Sequence, residues 1–142
     1  MRLWHPALLP YLPDKMLVAE WRECIAIKRQ WEKGTLKHRL VSYVMKYNKE
    51  YFIQYLAHLD TAMTMRKIKH QNKYYDEIYE FCKNEFDEYG DYKELPYPEH
   101  NDRYLRQCYY NLQEKADRGI VSEEDWKNIH KNIYSLIKEV EE

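Results

Sequence analysis

The chain has 142 residues, with 23 Lys+Arg against 24 Asp+Glu and a formal net charge of −1. The total hides a division: residues 1–70 carry 13 basic and 6 acidic side chains (+7), while residues 71–142 carry 10 and 18 (−8), and such asymmetry points to nucleic-acid contact. The length fits one domain, 1–142, with one core, and no run approaches the roughly 18 apolar residues of a membrane span.

The opening MRLWHPALLPYLP is broken by Pro6, Pro10 and Pro13. It lacks the uninterrupted apolar segment of a secretory signal. Residues 1–13 read as an N-terminal arm, and a cytoplasmic, nucleoid-side location is expected. Residues 14–32 read as a helix, capped by Asp14 and ended by Gly34, with Leu17, Trp21, Cys24, Lys28 and Trp31 at 3–4 spacing. Thr35 is a cap for a short second helix at 36–46, and Asn48 for a third at 49–68. A fourth covers 71–88. Gly90, Pro96 and Pro98 mark a loop to His100. Residues 101–118 form a fifth helix, started by Asn101 or Asp102 and followed by Gly119. Ser122 with Asp125 makes a capping-box-like start for a last helix at 123–140. No segment alternates with period two, so the fold class is all-α, a bundle of five or six helices.

Several chemistries are disfavoured. Cys24, Cys82 and Cys108 are odd in number and never at CxxC spacing, so they read as reduced core thiols. The six histidines form no ligand-spaced cluster, and the three glycines form no phosphate-cradling loop. No metal and no cofactor are expected.

Two places invite chemistry. On the first helix, at 100° per residue, Glu23 lies opposite the apolar stripe, Glu20 shares that side and Arg22 sits on a flank. That is most often an ordinary solvated face, although a rigid carboxylate beside a cation is also a catalytic pattern. The second place is the N-terminus. Arg2 is too large for removal of Met1, so Met1 is expected to keep a free α-amine. The reference pKa of an α-amine is about 7.7–8.0 against about 10.4 for lysine, which makes such a group a ready nucleophile.

The string MLVAEWREC at 16–24, together with the opening MRLWH, KGTLKHRLV at 33–41 and HNDRYLRQCYYNLQEK at 100–115, resembles the phage-type pyrimidine dimer DNA glycosylases, the dimer-excising endonuclease V family, in a bacterial branch. The resemblance spans most of residues 1–118. It implies a small all-α glycosylase with abasic-site lyase activity on lesion-containing double-stranded DNA, acting as a monomer. The implied nucleophile is the Met1 amine, which attacks C1′ of the damaged nucleotide to form a Schiff base. Glu23 is the implied acid; Arg22 and Arg2 are the implied phosphate contacts. A further helix arginine of the family is Ala26 here, with Lys28 or Arg29 nearby to replace it, and a family histidine is Met16. His38 and Lys115 are candidate DNA contacts beside plain structural readings. His5 and Glu20 are candidates for tuning the nucleophile, and Tyr104, Tyr109 and Tyr110 read as packing rather than a base-stacking platform. Arg2, Arg22, Lys28, Arg29, Lys33, Lys37 and Arg39 are expected to make one basic face around Met1 and Glu23. Two alternatives stay open: a non-catalytic helical nucleic-acid-binding or interaction protein on the same scaffold, and a glycosylase for another lesion or for RNA.

Overall fold

Helix α1, Asp14–Lys33, buries Leu17, Trp21, Cys24, Ile25 and Lys28 along the expected stripe. It ends where a side chain would be strained: Gly34 takes a left-handed φ of 73°, and the amides of Gly34 and Thr35 turn back to the carbonyls of Trp31 and Gln30. At the other end the cap is Pro13, without a side-chain hydrogen bond. Asp14, expected to cap, is already helical and pairs instead with Arg66 at 3.4 Å, where its charge also complements the helix dipole.

The structure is a computed structural model and describes residues 1–86 and 94–141. Four further α-helices follow: α2 Glu50–Met65, α3 Asn72–Cys82, α4 Asp102–Asp117 and α5 Glu123–Glu141. Strands are absent among the described residues, so the all-α class holds. Asn101 and Ser122 cap α4 and α5 as expected, accepting from the amides of Tyr104 at 2.9 Å and Asp125 at 3.1 Å. Asn48, expected to cap the third helix, lies one residue before the cap position Lys49, and accepts from the amide of Glu50 at 2.7 Å. Residues 87–88 of the fourth expected helix, and 90–93 of the loop after it, lie outside the described residues.

Three segments differ from the sequence reading. The fourth expected helix, 71–88, is α-helical over Asn72–Cys82 and continues as a 3-10 turn, Lys83–Glu85. The expected helix at 36–46 is a turn followed by a 3-10 helix, Ser42–Lys46. Leu36, Val41 and Val44 are buried, while Leu40 stays exposed. These anchors imitate a helical period, but the chain between them is too short for a stable helix. The proline-rich opening is structured as well. Pro6 starts a 3-10 helix, Pro6–Tyr11, and His5 Nδ1 accepts from the amide of Ala7 at 3.1 Å. Proline presets φ for such a turn and gives up a donor that the first turn does not need.

The opening segment enters the core. Leu3, Leu8, Leu9 and Leu12 are fully buried, and the 3-10 helix packs between α2 and α5. Each such leucine contributes on the order of 1.5–3 kcal/mol of transfer free energy. Two tyrosines tie the segment down: Tyr55 of α2 donates to the carbonyl of Trp4 at 2.7 Å, and Tyr104 of α4 to that of Leu3 at 2.5 Å. On the far side α4 packs on α5, where Tyr109 meets Trp126, His130 and Tyr134.

Candidate active site at the chain start

Residues 1–5 run along α1 in the opposite direction. The amide of Arg2 approaches Glu23 Oε2 at 3.5 Å, and the amide of Trp4 donates to Glu20 Oε2 at 3.2 Å. The 3.5 Å contact is long for a hydrogen bond, yet it sets the first residues of the chain against one turn of α1. Met1 and Glu23 are both partly exposed. The charge of the terminal amine is also felt at Glu20.

Glu20 does not share the solvated side with Glu23. It is 1% exposed. The helical period reported only the stripe facing α2 and α3; the opening segment, packed along the other side, covers Glu20 too. Burial and the neighbouring Glu23 push its carboxyl well above the usual carboxylate range, against the opposing pull of the Trp4 amide and the terminal amine. Its Oε1 finds no hydrogen-bond donor.

Arg2 folds inward. Its Nη1 lies 3.8 Å from Cys108 Sγ, and its guanidinium sits 5.4 Å from the Trp4 ring centre and 6.0 Å from that of Tyr104. Arg2 therefore clamps the start of the chain onto α4. Arg22 is exposed and makes no ion pair among the described residues. His5 is 3% exposed, and burial lowers its pKa to about 4, despite the His100 carbonyl and Asp102. His100 beside it is lowered to about 3 by burial and by His5. His5 is thus a neutral core group.

The expected basic face is narrower than its sequence. Lys28 and Arg29 both turn to Glu77 of α3: Lys28 Nζ at 3.1 Å, Arg29 Nε at 3.1 Å and Nη2 at 3.0 Å. Lys28 is also 3.1 Å from Glu32. An acid from the negatively charged half neutralises them, and holds its own carboxyl down at about 2 through Arg29 first and then Lys28. His38 is exposed in a turn, its Nδ1 accepting from the amide of Leu40. Lys115 is on α4, where its carbonyl receives the amides of Ile120 and Val121. Tyr104 packs on His100 and the chain start, and the Tyr109 hydroxyl shares a 2.6 Å hydrogen bond with His130 Nδ1 of α5.

A cleft of about 690 Å³ is lined by His5, His58, Glu94, Asp102 and Leu136, among others, and contains neither Met1 nor Glu23. Among the described residues no three His, Cys, Asp or Glu side chains gather where a metal would be held, and no helix is long and apolar enough to cross a membrane.

Three groups that shape this site escaped the sequence reading. The Trp4 amide is a backbone group and leaves no trace in residue type. Tyr55 and Glu77 come from helices far along the chain; the high tyrosine count, 15 residues, was the only hint of the first.

A family model described as pyrimidine dimer DNA glycosylase matches residues 1–76, just over half the chain. The matched stretch contains Met1, Arg2, Glu20, Arg22 and Glu23. No curated protein and no solved structure matches the sequence.

Proposed function

This chain belongs to the pyrimidine dimer DNA glycosylase family, whose name implies a DNA substrate and glycosylase activity, and we propose that it works as a glycosylase with abasic-site lyase activity through the Met1 amine and Glu23. The observation that supports the reading is the Arg2 amide 3.5 Å from the partly exposed Glu23 carboxyl, one residue from the chain's amine.

The neutral amine donates its lone pair to C1′ of the damaged nucleotide. The bond from C1′ to the base breaks and the base leaves with the electron pair. The nitrogen passes one proton to O4′ as the sugar ring opens and keeps the other, giving a protonated imine between Met1 and C1′, while the departed base takes up a proton from solvent. Removal of a proton from C2′ expels the 3′ phosphate by β-elimination, and water finally hydrolyses the imine to free the amine. Glu23 is placed to move protons between amine and O4′ and to face the positive charge that develops at C1′. Arg22, exposed one residue before Glu23, is the cation for a flanking phosphate. Kinking the duplex or extruding a base costs a few kcal/mol, less at a dimer that already stacks poorly.

The test is borohydride trapping on abasic-site duplex with protein whose first residue is verified as Met1 by mass spectrometry. A covalent adduct that maps to Met1 and is lost on N-terminal acetylation is expected. No adduct, or one that survives acetylation, overturns the amine mechanism.

A further inference from the structure

Glu20 has no part in the chemistry above, yet it is the most deeply buried acid at the site. One oxygen accepts from the Trp4 amide at 3.2 Å; the other meets no donor. One helical turn on, the Glu23 carboxyl lies within hydrogen-bonding reach. Two charged carboxylates that close, with one fully buried, are strongly disfavoured. Other titratable groups near Glu20 are the Cys24 thiol and the hydroxyls of Tyr55 and Tyr43, and the terminal amine is a cation that offsets it.

A single proton resolves the arrangement. Placed on Glu20 Oε1, it satisfies the orphaned oxygen and turns repulsion into an O–H···O⁻ bond to Glu23. The asymmetry of the surroundings decides which acid holds it. Glu20 sits among buried Leu3, Trp4 and Cys24, whereas Glu23 has partial solvent access and the Arg2 amide.

We infer that Glu20 is a neutral positioning residue: its carboxyl O–H donates to Glu23, fixing that carboxylate against the chain start so that the two acids act as one monoanion facing the amine. The inference deepens the function proposed above and rests on it. Two acids divided in role by burial are a known way to separate proton-holding from charge-bearing.

Glu20→Gln keeps both contacts, its carbonyl accepting from Trp4 and its amide donating to Glu23. Glu20→Met keeps the volume and loses both. The first measurement needs no activity: infrared spectra of carboxyl-labelled protein near neutral pH should show a protonated carboxyl band that Glu20→Gln removes. Its absence from the wild type overturns the proposal. In borohydride trapping, Glu20→Met should fall on the order of 100-fold, as a misaimed catalytic group does, with DNA affinity kept; Glu20→Gln should recover most of that loss. A Gln variant as inactive as Glu23→Gln, or a Met variant equal to wild type, would overturn the proposal. No adduct from the wild type with a free N-terminus overturns the amine chemistry itself, and the positioning role with it, whatever the infrared band shows.

Discussion

The Arg2 amide meets the Glu23 carboxylate across 21 residues of chain. The contact joins the chain start to the middle of α1. In Glu23→Gln the contact survives as a neutral one, while proton transfer and charge are lost. Trapping and strand cleavage should fall about 10²–10⁴-fold with binding to lesion-containing duplex retained. Unchanged cleavage would reduce Glu23 to a surface residue.

The exposed cations should separate by their partners. Arg22 has no ion pair among the described residues, whereas Arg29 is held in a two-bond fork by Glu77. Arg22→Ala should lower DNA affinity and reduce the slope of log affinity against log salt by about 1. Arg29→Ala should change the slope less. Salt titrations of the two variants decide between this ordering and a uniform basic face.

Tyr55→Phe deletes the hydroxyl that donates to the buried carbonyl of Trp4. An unsatisfied buried carbonyl costs about 1–3 kcal/mol, which a denaturant midpoint will register. Because Trp4 in turn reaches Glu20, trapping should drop as well at temperatures where the variant is still folded. A stability loss with trapping intact would show that the chain start holds its place without Tyr55.

Acid should destabilise the fold early. His5 and His100 have folded pKa values of about 4 and about 3 against an ordinary 6.5. Between those values the unfolded chain binds protons that the folded one refuses, so stability is complete above about pH 6.5 and declines as pH falls toward about 3. Glu77, held at about 2, adds a second loss that begins near the ordinary carboxylate pKa of about 4.3. Replacing His100 with Gln should flatten the upper part of the profile of unfolding free energy against pH. Glu77→Gln should flatten only the lower part.

What the sequence revealed follows the range of the interactions involved. Helix α1 and its Gly34 stop, and the caps Asn101 and Ser122, were legible because each is settled within about one turn of backbone. The family, matched over residues 1–76, was legible as strings of residue types. Glu20 was misplaced because a helical period reports one buried face, and the second face is created by a segment that folds back from outside the helix. The 36–46 segment misled because three buried anchors, Leu36, Val41 and Val44, can be satisfied without a helix. Lys28 and Arg29 looked free because their partner, Glu77, lies about 50 residues away; a charge total cannot show which charges meet.

The bond from Tyr104 to the Leu3 carbonyl spans 101 residues. During synthesis the first residues leave the ribosome long before α4 exists, so the chain start has no seat until most of the protein has been made. Closing so large a loop places this contact among the slow, non-local steps of folding. The chain start is therefore held in place only in the finished molecule, and a truncated chain that keeps every residue up to α3 would carry Met1 and Glu23 without the clasp on Leu3.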